Sequence, residues 1–297
     1  MRALAQLIDT VPTHWRLAAV QRGPAARSRP DLRFFDAGRA LIRYRQAGQG
    51  PSLVLGADPP VPLELYDELI ERLASRFRVT VFEIPGFGGS LPRVSFRYSM
   101  SAARDVIGQF LDGLGGGPHH LALPCVLGYV SIALIHQRPQ RIGDLILIQT
   151  PDWAGGQRWV EGRDPRHLLR RPVLGQLALA AVRRQRVGDW YRAALADPGQ
   201  VERYRQATLD HFDHGACFCL ASGFQDFLHD HQGLVQPVQR RTLAVWGEAD
   251  RSHRQTDRQS TLALAPKAEL VRFADAGHFP ELEQPQRFAD LVERFLA

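Results

Sequence analysis

From Phe34 onward, short β-rich runs alternate with segments whose apolar residues recur every three or four positions. That is the pattern of a mostly parallel sheet covered by helices on both faces. Ala40–Arg45 and Ser52–Leu55 predict strands, and Leu63–Ala74 predicts a helix because Leu65, Leu69 and Leu73 share one face. Arg78–Glu83 predicts the next strand, closed by Pro85-Gly86-Phe87-Gly88-Gly89-Ser90. Tyr98–Leu114 predicts a helix stopped by Gly115-Gly116-Gly117-Pro118. A strand at His120–Leu123, a turn at Pro124-Cys125, a helix to about Gln137 and a strand at Asp144–Ile148 follow.

The alternation then stops. Residues 151–236 carry helical patterns, no convincing strand, and many of the aromatics, including Trp153, Trp159, Trp190, Tyr191, Tyr204, Phe212 and Phe218. Strand character returns at Thr242–Trp246 and Glu269–Phe273, and Pro285–Leu296 predicts a final helix. The chain therefore divides into an N-terminal extension (1–29), the first part of an α/β core (30–150), an inserted helical cap or lid (151–236) and the rest of the core (237–297).

In the extension, Leu4, Leu7, Ile8 and Val11 recur at helical spacing, and Arg2, Arg16, Arg22, Arg27 and Arg29 face only Asp9, so a basic amphipathic helix is expected. It lacks the apolar core and cleavage site of a signal peptide, and no apolar run reaches the ~20 residues of a membrane span. At 297 residues the core is large enough to fold without disulfides or metals. Only three cysteines occur, Cys125 alone and Cys217 close to Cys219, which fits a reducing, cytoplasmic setting without bridges. The net charge of +6 is spread over scattered arginines, with Lys267 the sole lysine, rather than gathered into a nucleic-acid-binding stripe. His211, Asp213, His214, Cys217 and Cys219 fit no standard zinc spacing, and packing of Phe212 and Phe218 explains that segment as well; no metal or other cofactor is expected.

Four landmarks make the chain resemble the α/β-hydrolase superfamily from about Phe34 to Ala297. Glu83-Ile84-Pro85-Gly86-Phe87-Gly88-Gly89-Ser90 is similar to the family's D-x-P-G-x-G-x-S turn, with Glu83 in place of aspartate. Leu121–Ile148 resembles the nucleophile strand, elbow, helix and next strand, including Arg138-Pro139-Gln140-Arg141-Ile142 where the family reads H-P-E-R-V. Trp246-Gly247-Glu248-Ala249-Asp250 resembles the acid-bearing strand end, and Ala276-Gly277-His278-Phe279-Pro280 the histidine loop. The resemblance implies an α/β-hydrolase fold with Cys125 as nucleophile, His278 as base and Asp250 as its orienting acid, in the chain order this fold uses. A cysteine there is similar to the dienelactone-hydrolase branch and implies a small-molecule acyl substrate (ester, thioester or lactone) and an acyl-cysteine intermediate.

Two departures are visible. The family's G-x-S-x-G elbow reads Leu123-Pro124-Cys125-Val126-Leu127, with only Gly128 small, and the usual H-G is replaced by Gly56-Ala57-Asp58-Pro59-Pro60. Oxyanion donors are then expected from the backbone amides of Val126 and of Ala57 or Asp58, since prolines offer none. Trp153 and Trp159, just past a strand end, are expected to wall the substrate pocket, and Ser252 and His253 either join it or start a helix. Cys125 is alternatively a small buried filler. In that case the fold serves as a ligand-binding or accessory protein, or as a lyase or cyclase using His278 and Asp250. Partners beyond the substrate reduce to a homodimer or docking through the N-terminal helix.

Overall fold

The computed structural model describes residues 1–22, 29, 31–227 and 233–297; Arg27 of the extension, the 29/30 boundary at Pro30, and residues 228–232 of the cap fall outside the described residues. The elements run α1 (Arg2–Thr10), α2 (Thr13–Arg22), β1 (Leu32–Asp36), β2 (Ala40–Ala47), β3 (Ser52–Gly56), α3 (Asp67–Leu73), β4 (Arg78–Phe82), β5 (Phe87–Gly88), β6 (Leu91–Pro92), α4 (Met100–Gly113), β7 (His119–Pro124), α5 (Val126–Gln137), β8 (Ile142–Ile148), α6 (Trp153–Arg163), α7 (Leu174–Ala194), α8 (Val201–Asp213), β9 (Cys217–Phe218), β10 (Thr242–Gly247), β11 (Glu269–Phe273) and α9 (Pro285–Leu296). The main sheet has the order β1-β2-β4-β3-β7-β8-β10-β11, with β6 added beside β2. Strands from β4 through β3, β7, β8, β10 and β11 are parallel, whereas β2 pairs antiparallel with β1, β4 and β6.

The central strands are apolar on both faces because both faces are covered. Leu53 and Leu55 of β3 pack toward α3 and α9, where Leu69, Leu73, Phe288 and Val292 lie. Val54 of the same strand and Leu121 and Leu123 of β7 pack toward α4 and α5, against Val106, Phe110, Leu127 and Val130. Each such side chain contributes roughly 1.5–3 kcal/mol by leaving water. Strand β1, unexpected from the sequence, is an edge strand: it pairs only with β2 and is half exposed, so no clean alternation marks it.

Between β8 and β10 the described residues form helices and loops apart from β9, whose two residues pair with β5 of the core. The N-terminal helices lie against the body rather than projecting as an arm. On the core side, Gln6 Nε2 donates to the Val94 carbonyl at 3.1 Å and to that of Phe96, and Thr13 Oγ1 donates to the Pro92 carbonyl. On the cap side, buried Asp9 accepts from Ser222 Oγ at 2.6 Å, and Arg16 Nη1 lies 3.2 Å from Cys217 Sγ.

The turn after β4 accommodates glutamate where the resemblance leads one to expect aspartate. Glu83 accepts from the Gly89 amide at 2.7 Å and from Arg43 Nη1 at 3.1 Å. A side chain at Gly88, where φ is +57°, would meet the Glu83 carboxyl at 2.3 Å, so glycine makes room for the longer acid. Burial pushes Glu83 up to about 7 even though Arg43 opposes it. The histidine of the rejected zinc pattern, His211, belongs to this cluster, 3.1 Å from Arg43, while Asp213 pairs with Arg184 on the surface.

Candidate active site

The polar side chains at the centre of the site follow the carboxyl ends of parallel strands, where open α/β sheets place their ligand crevice. Asp58 follows β3, Cys125 follows β7, Gln149 follows β8, Asp250 follows β10 and His278 follows β11. Cys125 has φ 49° and ψ −124°, a conformation costly for a residue with a side chain. The turn is held from three sides. The Cys125 amide donates to the Ile148 carbonyl at 2.7 Å, and its own carbonyl accepts from the Gly128 amide at 3.1 Å and from Thr150 Oγ1 at 3.0 Å.

The two leucines of the elbow are accommodated by glycines elsewhere. A Cβ built on Gly56 would lie 2.6 Å from Leu127 Cδ1 and 3.2 Å from Leu123 Cδ2, so the missing small residues of the elbow are replaced by a small residue across from it. Gly128 is required as well, since a Cβ there would meet Thr150 Oγ1 at 2.3 Å. Strand and helix therefore approach as the tight turn demands, with the small positions redistributed.

His278 Nδ1 lies 2.6 Å from Asp250 Oδ2. Asp250 is fixed in turn by Gln149 Nε2 at 2.8 Å and the Ser252 amide at 2.7 Å. The loop carrying His278 is tied to the cap, because the His278 amide donates to the Ala194 carbonyl of α7 at 2.7 Å and Gly277 leaves no space for a Cβ beside that carbonyl. The Cys125 sulfur and ring nitrogens of His253 and His278 lie within 4.8 Å of one another. The imidazoles are stacked, 5.2 Å apart at 18°, and His253 Nδ1 is engaged by Thr256 Oγ1 at 2.9 Å.

The side chain of Asp58 was not anticipated from the sequence, which pointed only to its amide. Its Oδ2 stands 3.0 Å from His278 Nε2, an ion-pair contact in which neither atom makes an aligned hydrogen bond. His278 is thus flanked by carboxylates on both nitrogens. Burial works against its charge, but Asp250 and then Asp58 outweigh burial and raise its pKa well above that of free imidazole. Burial, and next the Asp58 charge, push the Cys125 thiol up, with His278 and the Val126 amide pulling partly back. Asp250 is held down at about 2, its own burial overcome by the charge of His278. His253 is lowered to about 3 by burial and by the neighbouring cation, so it stacks on His278 as a neutral ring.

Of the expected oxyanion donors, the Val126 amide faces the Cys125 sulfur. The Ala57 amide is already engaged by the Phe82 carbonyl at 2.8 Å, and the Asp58 amide reaches Tyr66 Oη at 3.2 Å. Asp58, Cys125, Trp159, Trp190 and His278 line a chamber of about 110 Å³ whose remaining wall is mainly apolar. Through Trp159, Trp190, Leu220 and Phe224 the chamber shares its wall with an outer groove of about 700 Å³ under the cap. Trp153, expected in this wall, instead packs edge-on against Tyr129 with centroids 5.2 Å apart. Trp190, unexpected, presents its ring to His278 at 5.1 Å.

A strained elbow after a central parallel strand, facing a histidine anchored on an acid at two later strand ends, defines an α/β protein of the elbow-and-histidine-loop type. Residues 63–285 match the family described as alpha/beta hydrolase fold, and the chain belongs to that family. It is 27% identical over 280 residues to haloalkane dehalogenase 2 of Mycobacterium tuberculosis, covering 89% of this chain and 95% of the relative. It is 22% identical over 267 residues to the pimeloyl-[acyl-carrier protein] methyl ester esterase of Aeromonas hydrophila, covering 86% and 99%. Among solved structures, a hydrolase from Pseudomonas aeruginosa PA01 superposes with a TM-score of 0.67 at 25% identity, covering 90% of this chain and 99% of that one. Among the described residues, no helix is long and apolar enough to cross a membrane.

Proposed function

We propose that this protein is a hydrolase or acyltransferase acting on an ester, thioester or lactone through an acyl-Cys125 intermediate. The observation that carries the reading is the thiol at a strained strand-to-helix turn, beside a histidine whose other nitrogen is bound to Asp250 at 2.6 Å. The names of the relatives, a dehalogenase and a methyl ester esterase, support hydrolytic chemistry at this place in the fold. Unpaired buried cysteines agree with a reducing, cytoplasmic setting.

One proton leaves the coupled Cys125–His278 pair, giving a thiolate next to an imidazolium. The sulfur attacks the carbonyl carbon while the C=O electron pair moves onto oxygen, toward the Val126 amide. Collapse expels the alkoxide or thiolate, which takes its proton from His278 Nε2. Neutral His278 then removes a proton from water, the resulting hydroxide attacks the acyl-sulfur carbonyl, and the thiolate departs. Asp250 holds the ring and stabilises its charged form throughout.

A second reading is favoured by Asp58. A carboxylate facing Nε2 suits an acid–base lyase or cyclase, or a ligand-binding site, in which Cys125 is a bystander. Incubation with p-nitrophenyl thioesters and esters, followed by intact-mass analysis, separates the two. The acyl-transfer reading expects a burst and an acyl adduct on Cys125 that Cys125→Ala abolishes. Turnover that survives Cys125→Ala but not His278→Ala sinks it in favour of the second.

A further inference from the structure

Four polar groups on residues lining the inner chamber are buried without an aligned hydrogen-bond partner and are not used in the steps above: Asp58 Oδ2, Tyr98 Oη, Trp159 Nε1 and Trp190 Nε1. Burying a polar group unpaired costs on the order of 1–3 kcal/mol, so the two unpaired indole N–H groups point to a ligand that accepts from them, while Asp58 Oδ2, in an unaligned ion pair with His278 at 3.0 Å, keeps accepting capacity. Tyr98 Oη, also on the lining, is set apart at Gly86 and Cys219. The indoles can only donate and the carboxylate can only accept. The complementary ligand therefore carries both an acceptor and a donor.

Charge narrows the class. Asp58 and Asp250 flank one imidazole, and the charge of Arg163 also reaches Asp250 and Cys125. Among the described residues, His278 is the one basic side chain on the chamber wall. Arg163 lies outside it, over the rings of Trp159 and Trp190 at 5.4 Å each, on the wall of the outer groove. An anionic group placed against Asp58 would meet a carboxylate directly, whereas a hydroxyl or ammonium would be welcomed there.

We infer that Asp58, Trp159 and Trp190 form a recognition set for an α-hydroxy- or α-amino-acyl group, Asp58 accepting from the hydroxyl or ammonium and the indoles donating to the carbonyl. The inference rests on the acyl-transfer reading for the word acyl and names the substrate class of that site. It also assigns Asp58 a second effect. A cationic or donating ligand on Asp58 draws its charge away from His278 Nε2 and Cys125, making loss of the pair's proton easier when the fitting substrate is in place.

The test uses four inert amides that differ only at the α-carbon: phenylalaninamide, 3-phenyllactamide, 3-phenylpropanamide and the monoamide of benzylmalonic acid. Binding is followed by tryptophan fluorescence and by calorimetry on the full chain. Expected are affinities for the first two about 10-fold or more above the third, in line with a hydrogen bond to a charged group, and no binding of the fourth. Asp58→Asn should remove the preference for phenylalaninamide, and Trp190→Phe should weaken the first three alike. Equal affinity for 3-phenylpropanamide, or any preference for the carboxylate, overturns the inference from the wild-type protein alone, whether or not the variants fold. Discrimination among the amides with no turnover of the matching p-nitrophenyl esters would leave the recognition set standing and sink only the acyl-transfer chemistry.

Discussion

Leu127 occupies the space that a side chain on Gly56 would need, its Cδ1 falling 2.6 Å from the position of the absent Cβ. The pair explains how an elbow flanked by leucines still closes, and it makes the two positions dependent on each other. Gly56→Ala should destabilise the protein by about 1–3 kcal/mol through overpacking. The double variant Gly56→Ala/Leu127→Ala should be more stable than the sum of its singles implies. Urea titrations of the four proteins decide it; additive effects would show that the two side chains do not share this space.

The pH at which Cys125 becomes reactive should depend on Asp58. Proton loss from the Cys125–His278 pair adds negative charge beside a carboxylate, so Asp58 raises the apparent pKa of that step. Replacing Asp58 with asparagine should move the midpoint of iodoacetamide alkylation at Cys125 to lower pH. A midpoint that stays put or rises would mean that the carboxylate and the sulfur are not electrostatically coupled.

Glu281 is 1% exposed, and neither carboxyl oxygen has a hydrogen-bond partner. Burial raises its pKa from 4.5 to about 8. The folded state therefore keeps a proton that the unfolded chain releases, so stability is fully present below about pH 4.5, falls as pH rises toward 8 and stays lowered above it. Glu281→Gln should remove this decline, making the variant more stable than wild type at pH 8 by an amount on the order of a few kcal/mol. The gap between the two should close near pH 4. Parallel stability curves across that range would show that Glu281 ionises as it would in water.

Much of this was legible in the chain, and the remainder was not for reasons that differ by residue. The strands of the parallel sheet announce themselves as short apolar runs, and Glu269–Phe273 and Pro285–Leu296 coincide with β11 and α9 end to end. The meeting of Cys125, Asp250 and His278 follows from motifs at strand ends, whose neighbours in a parallel sheet are set by topology. Trp153 and Trp159 look equivalent in sequence, yet six residues at 3.6 per turn place them about 120° apart around the helix, and only one reaches the chamber. Trp190 and Gln149 reach His278 and Asp250 through packing between distant segments, which no local spacing records, whereas His253 follows Asp250 closely enough to be a pocket candidate from the sequence. Asp58 reads locally as a loop residue after a strand; its contact with His278 spans the sheet. The edge strand β1 lacked the alternation that burial on one face imprints on better-covered strands.

The N-terminal helices have a mechanical consequence. They are stitched to the loop before α4 through Gln6 and Thr13, and to the roof of the site through Asp9 and Arg16. These contacts tie the roof at a point away from its chain connections, which restrains it from swinging as a flap. A ligand entering by the outer groove would pass Trp159 and Trp190, and with the roof tied at this point the width between them would set what fits.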